Sequence, residues 1–413
     1  MSSVVHDREP LTDYPRSAQV PLNLVQPSAG NAGQLRLRRE RWSAYLTLCS
    51  HPEAPLTTRY APLLAELVLA DGGGRLPAVP GSLYPVGFRR QVLDHTARPA
   101  DAAWSDLRAP EEAAGSPLPR LRAVLAAPEQ ASPQRLVCLA QLLNVLTLYP
   151  VTVRALAPAA GRIGDPELLY EVARAAYSLQ VDSELAVRPF QLLARHPDAA
   201  SPVRLSAITR LVAHYCRRDK DLDRCAEWAD LARGAVAELG QHDDFAVRLA
   251  ISRLHRGLAL YAWRRRDAAE MTAMMGATHG IAVRLVASAD DPARYLAAAQ
   301  DERLGLEAAL KAFVGSRGRA TVLDPAAAAE RIVALDPGDP YSRLIAGDAF
   351  WLLGQDERAL ECFQAAAAMG TLPGTLAAHR AGVVLRALGR PEQGADWSAR
   401  AAELDAQAGT DAG

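Results

Sequence analysis

Residues 342–370, SRLIAGDAFWLLGQDERALECFQAAAAMG, and residues 377–406, AAHRAGVVLRALGRPEQGADWSARAAELDA, superimpose when the chain is slid by thirty-five positions. Gly347, Gly354 and Ala359 of the first stretch recur as Gly382, Gly389 and Gly394 of the second. Two antiparallel helices cross closely only where side chains are small. Ala346 and Gly347 on a first helix, with Ala359 and Ala366 on a second, would permit that contact, and Phe350 and Phe363 would fill the space left over. Gly354 and Gly389 sit where a left-handed residue ends a helix at little cost. Asp356 is placed to cap the helix that follows. Upstream, Leu335-Asp336-Pro337 closes another helix, because proline cannot continue one.

A helix–turn–helix unit that recurs at about 34 residues with these small positions resembles the tetratricopeptide repeat. The resemblance implies an all-α fold, a right-handed superhelix of stacked antiparallel helix pairs, that is, an α-solenoid. It also implies a binding protein, without saying what is bound. Arg343 and Ala378 stand where the family usually has a bulky aromatic, and Gly394 and Ser398 stand where alanine and an aromatic are usual. Terminal repeats are commonly atypical because one face meets water, so 374–407 reads as a capping repeat.

Proline usage divides the rest of the chain. Sixteen of the 28 prolines lie at or before Pro133, and none lies between Pro202 and Pro292. Residues 1–34 read as a flexible arm. Residues 35–117 read as an irregular, Pro-rich, partly helical region, with helices over 34–50, 62–70 and 86–95. Residues 118–337 read as an array of helical hairpins and 338–407 as two repeats, with a tail at 408–413. Apolar residues recur at three- and four-residue spacing in 132–147, 165–179, 182–195, 202–217, 221–239, 243–265 and 291–314. Gly257 and Ala269 are twelve apart, like Gly347 and Ala359, which offers the same register to a 243–265 and 267–286 pair. Helices this long suggest repeats of forty or more residues, as in tetratricopeptide domains of bacterial peptide-sensing regulators.

Of 413 residues, 49% are hydrophobic, and 46 basic side chains face 47 acidic ones. A net charge of -1 gives no general pull toward nucleic acid or anionic lipid. Nucleic acid is therefore not expected as a partner. Only Lys220 and Lys311 are lysines, an arginine and alanine bias that points to a GC-rich bacterial genome such as an actinomycete's. The N-terminus lacks an apolar signal core. The uncharged run from Leu136 to Val153 carries Gln141, Asn144 and Pro150 and reads as a buried helix pair, not a membrane span. A cytoplasmic location with reduced thiols is the expectation.

Few groupings suggest chemistry. Asp71–Arg75 lacks the spacing of a phosphate loop and reads as a turn. Gly315-Ser-Arg-Gly-Arg319 has the makings of an anion cradle, but an inter-helix loop is the simpler reading. Leu35–Trp42 packs four arginines and a tryptophan into one short helix, a grip for phosphate or an acidic partner if it is not a solvated face. His214, Cys216, Cys225 and Glu227 do not have zinc spacing. If 202–217 and 221–239 pair about residue 220, Cys216 and Cys225 become neighbours, as buried structural thiols or as a redox pair. No cofactor, metal site or catalytic residue is assigned.

The resemblance places the first helix of each repeat on the concave face, and maps its exposed positions onto Tyr341, Leu344, Asp348 and Trp351, then His379, Val383 and Arg386. Such a face suits an extended peptide or a partner helix. The alternative is that these side chains pack on a neighbouring helix or subunit, and a homo-oligomer stays open. The leading functional expectation is a protein- or peptide-binding adaptor. A peptide-sensing regulator is the second. An enzyme or accessory subunit of specialised metabolism, with a site around Tyr60, Tyr84, Arg89 and His95, is the third.

Overall fold

The computed structural model describes residues 127–410, apart from breaks at 146–148, 180–182, 198, 290–291, 336–339 and 369–371. The expected arm, the 35–117 region with its arginine-rich helix and tyrosine cluster, and the 411–413 end of the tail lie outside the described residues. A 3₁₀ turn at Pro128–Gln130 is followed by fourteen helices. These are α1 (Pro133–Val145), α2 (Tyr149–Ile163), α3 (Pro166–Ser178), α4 (Ser183–Arg195), α5 (Ser201–Arg217), α6 (Leu222–Leu239) and α7 (Phe245–Arg264). Next come α8 (Ala268–Ser288), α9 (Pro292–Gly315), α10 (Pro325–Leu335), α11 (Pro340–Leu352), α12 (Asp356–Ala368), α13 (Leu372–Ala387) and α14 (Pro391–Thr410). No strand occurs among the described residues.

Local chemistry starts these helices where they start. Proline opens α1, α3, α9, α10, α11 and α14, a position whose N–H would have no intrahelical partner in any case. The carboxylates of Asp165, Asp221, Asp244 and Asp267 each accept from the backbone N–H three residues on. Asp324 accepts from both Ala326 and Ala327. Caps of this kind are worth about 1 kcal/mol each. Asp356 is the first residue of α12, one position inside the cap expected for it.

The described chain divides into two compact units, one ending at Gly305 and the other beginning at Leu306. In the first, α2 packs on α3, α3 on α4, α4 on α5, α5 on α6 and α7 on α8. Alternate helices also meet, α1 with α3, α3 with α5 and α5 with α7, so the first helices of successive hairpins form a row. The core under that row holds Tyr170, Phe190, Ile208, Leu211, Tyr215, Trp228, Leu254 and Leu258. Phe190 is fully buried between the rings of Tyr170 and Tyr177, with centroids 5.5 and 6.1 Å away. Helix α2 has no clear apolar period in the sequence because Pro150 and Pro158 interrupt it, yet Pro158 is accommodated inside the helix.

In the second unit α10 packs on α11, α11 on α12, α12 on α13 and α13 on α14, and α11 also touches α13. Here the self-match has a direct geometric cause. A Cβ on Gly347 would fall 2.5 Å from Phe363 Cε1, so the ring occupies the space a side chain would need. A Cβ on Gly382 would fall 2.9 Å from both the Gly394 carbonyl and Ser398 Oγ, and one on Gly394 would fall 2.9 Å from the Gly382 carbonyl. Gly354 and Gly389 close α11 and α13 with φ of 72° and 74°. The next N–H, of Gln355 or Arg390, reaches back to the carbonyl of Phe350 or Leu385 at 2.9 Å.

The same closure recurs without glycine. Arg266 and Arg317 take φ of 62° and 54°, and the following N–H groups bond Ala262 and Phe313 carbonyls at 2.9 and 2.8 Å. The 315–319 loop is therefore a helix terminus whose N–H groups are already used, and an inter-helix loop is what it is. Gly257 does not reproduce the Gly347 contact. A Cβ there would meet Thr209 and Val212 of α5 at 3.7 and 3.8 Å, ordinary contact distances, so Gly257 faces α5 and not its own hairpin partner, and no close approach requires it.

Gly382→Ala is expected to lower stability by about 1–3 kcal/mol, because two backbones must separate. Arg266→Gly is expected to raise it by about 0.5–1 kcal/mol through relief of the left-handed strain, less the extra freedom glycine has when unfolded. Urea unfolding of the two variants beside the parent checks both signs.

Candidate functional site

The residues nominated on α11 and α13 divide into three groups. Leu344 and Trp351 are buried, each 9% exposed, and take part in packing. Tyr341, His379 and Val383 are half-buried. Arg386 turns toward α14, where its Nη1 donates to Ser398 Oγ at 3.0 Å and to the Gly394 carbonyl at 3.3 Å. That guanidinium is one link across the last hairpin.

Asp348 is 6% exposed and meets a residue the sequence reading did not single out. Arg380 of α13 donates through Nη1 to Asp348 Oδ2 at 2.5 Å, which ties the first helix of one hairpin to the first helix of the next. Asp348 Oδ1 and Arg380 Nε are buried and have no hydrogen-bond partner among the described residues. Burial pushes the Asp348 carboxyl up to about 6, against the pull of the Arg380 guanidinium. A signal for this pair does exist in the sequence. The repeat equivalent of Asp348 is Val383, and Arg380 lies one turn before it on the same stripe.

Two openings lie in the first unit. A cavity of about 230 Å³ is lined by Asp243, Arg248, Ile251, Ile281 and Arg284 among others, where α6 ends, α7 begins and α8 ends. A wider cleft of about 620 Å³ shares Asp243, Arg248 and Arg284 and adds Phe245, Leu285 and Arg294. Arg294 lies over the Phe245 ring, 5.5 Å from its centroid. Asp244 is occupied in capping α7, at 2.9 Å from the Val247 N–H. Among the described residues Arg248 and Arg284 form no ion pair with a carboxylate, and both line the opening beside the half-buried Phe245 and Ile281. Sequence reading could not assemble this cleft, since three elements up to fifty residues apart contribute and none carries a motif.

A buried polar cluster stands under α7. Gln300, Asp301, Glu302 and Arg303 of α9 are four consecutive polar residues, all 9% exposed or less. Asp301 accepts from the Ser252 hydroxyl and from Arg256 Nη1 at 2.8 Å, with Arg253 Nε at 3.6 Å. Thr278 Oγ1 donates to the Ser252 carbonyl at 3.2 Å, which brings α8 into the same network. His255, also on α7, is buried with its Nδ1 3.2 Å from Met274 Sδ, and burial lowers its pKa so that the neutral ring is favoured. No group of three or more His, Cys, Asp or Glu residues among the described residues is arranged to hold a metal ion. Glu227 is exposed and His214 Nε2 pairs with Asp219 at 3.1 Å, so neither joins the cysteines.

Paired helices joined at a small-residue crossing, a left-handed closure and a row of adjacent first helices decide the architecture. The fold is tetratricopeptide-like. No family model matches the chain, and no curated protein does. Among solved structures it is similar to a signal-transduction ATPase with numerous domains that carries a tetratricopeptide repeat sensor, from Pyrococcus horikoshii. That similarity is at 12% identity and a TM-score of 0.48, over 93% of this chain and 62% of that one. It is also similar to a monomeric mutant of IFIT1 with Gppp-AAAA, at 11% identity and a TM-score of 0.26, over 84% and 95% of the two chains. The chain thus spans less than two thirds of the ATPase's length. No helix among the described residues is long and apolar enough to cross a membrane.

The Asp348 carboxyl titrates higher in this tetratricopeptide-like fold than in an unfolded chain, so the native state takes up a proton first as pH falls. Its contribution favours the fold at low pH and is lost as pH rises from about 4 through about 6, on the order of 3 kcal/mol in all. The parent is expected to lose stability relative to Asp348→Asn over that window. Urea midpoints of both chains across the pH series test it, and a constant difference would show an unshifted carboxyl.

Proposed function

We propose that the chain is a binding protein that takes an acidic, partly apolar peptide segment of a protein partner. The observation that carries this reading is the cleft at the open end of the α7–α8 hairpin, where Arg248 and Arg284, without an ion-pair partner among the described residues, stand beside the half-buried Phe245 and Ile281. An unpaired guanidinium presents a fork of donors that matches a carboxylate, and the apolar wall supplies contact area that charge alone does not. The Asp301 network and the α5–α7 packing hold α7 rigid, so little ordering is lost on binding. Asp243, at the same opening, would disfavour a wholly acidic ligand and gives the cleft a preference for register.

A second reading places a partner on the stripe of Tyr341, His379 and Val383, which remain half-buried on the first helices α11 and α13. The two readings separate by mutation. Panning a random peptide library against the whole chain is expected to enrich sequences that combine Asp, Glu or a free C-terminus with aliphatic residues. Arg248→Glu and Arg284→Glu should each weaken such a peptide by roughly tenfold or more, as measured by fluorescence anisotropy. Loss instead on His379→Ala with Val383→Ala would move the site to the C-terminal unit. Enrichment of basic peptides, or binding indifferent to all four substitutions, would remove the reading.

A further inference from the structure

Cys216 lies in the last turn of α5 and Cys225 in the first turn of α6, and the hairpin brings their sulfurs to 3.2 Å. Both are free thiols, 1% and 0% exposed. A disulfide needs sulfurs about 2 Å apart on side chains that already face each other, so closure here asks for a movement of only about 1 Å. The two thiols are not equivalent. The contact with Cys225 lowers the Cys216 pKa, with Arg264 and Arg217 adding to the effect against desolvation, while the same contact and burial push the Cys225 thiol up. The segment joining the helices, Arg217 to Lys220, is exposed, so the sulfurs lie one turn beneath solvent. Cys362 provides the contrast: it has no second cysteine against it among the described residues, and burial pushes its thiol up to about 11.

We propose that Cys216 and Cys225 are a reversible disulfide site, oxidised by a hydroperoxide, that staples the end of α5 to the start of α6. The Cys216 thiolate attacks the terminal peroxide oxygen. The S–O bond forms as the O–O bond breaks, and the departing alkoxide, or hydroxide from hydrogen peroxide, takes a proton. Cys216 is then a sulfenic acid, oxidised by two electrons, and the peroxide is reduced. The Cys225 sulfur attacks the Cys216 sulfur, the S–S bond forms, the S–O bond breaks, and the hydroxide leaves as water with the Cys225 proton. Two thiols and one hydroperoxide thus give one disulfide, one alcohol or water, and one water. A dithiol reductant reverses the change. Proximity favours the second step over further oxidation of the sulfenic acid, because the resolving thiol is already in contact.

This site is independent of peptide binding and is tested without it. The reduced full-length chain is treated with stoichiometric hydrogen peroxide, its remaining thiols are alkylated under denaturing conditions, and its mass and peptide map are read. The expected result is loss of two of the five thiols, a mass lower by two hydrogen atoms before alkylation, and one cross-linked peptide pair containing Cys216 and Cys225, all restored by dithiothreitol. In Cys225→Ala, the expected product is a Cys216 sulfenic acid trapped by dimedone. Survival of all thiols in the parent, a cross-link through any other cysteine, or sulfinic acid at either position would overturn the proposal. The parent's peptide map decides even if the alanine variant does not fold.

Discussion

Everything in the C-terminal unit depends on how closely two helices can approach. Phe363 reaches over Gly347 into the volume a Cβ would fill, and the Gly382 and Gly394 backbones lie against each other across the last hairpin. Packed helix axes are usually 8–10 Å apart, and the small residues set the separation here. Once it is set, the chain must reverse within two or three residues, which is why Gly354 and Gly389 are left-handed. Two hairpins of equal depth can then align their first helices side by side, and only then can Arg380 reach Asp348. In the first unit no such clash enforces a glycine at 257, where a Cβ would meet Thr209 and Val212 of α5 at the ordinary contact distances of 3.7 and 3.8 Å.

This difference explains which parts of the fold are legible in sequence. Helix positions from 165 onward follow apolar spacing because each helix buries one stripe, and α3 through α7 begin and end within two residues of where the spacing places them. The two C-terminal repeats are visible as repeats because glycine is required there by backbone contact or by φ. In the α7–α8 hairpin the left-handed position is held by Arg266, which strains the backbone mildly and leaves no glycine to align. The matching interval from Gly257 to Ala269 then misleads, since the glycine faces a different helix. Helix α2 escaped periodicity for the opposite reason, two prolines tolerated where the pattern would exclude them.

Site residues were legible only where local geometry decides them. Cys216 and Cys225 lie symmetrically about a short reversal, so pairing two helices is enough to bring them together. The concave-face residues required knowledge of neighbouring hairpins, and Leu344, Trp351 and Arg386 turned out to have partners in packing. The Gln300–Arg303 run is four consecutive polar residues, yet it is buried, and Ser252, Arg253 and Arg256 of α7 meet its Asp301. A buried carboxylate of this kind is tolerated only with its donors in place, since removing one partner leaves an uncompensated charge.

The Asp348–Arg380 contact also bears on how such an array can grow or shrink. Each partner belongs to a different hairpin, so neither hairpin is a self-sufficient module. Duplication of α11–α12 would place a second aspartate opposite the first and leave Arg380 with only one of them, while deletion would strand the arginine in an apolar setting. A consensus hairpin grafted between α12 and α13 would meet the same obstacle unless it brought an arginine one turn ahead of its own aspartate position. The pair therefore acts as a key that fixes the order of the last two units, and length variation is expected elsewhere in the chain before it is tolerated there.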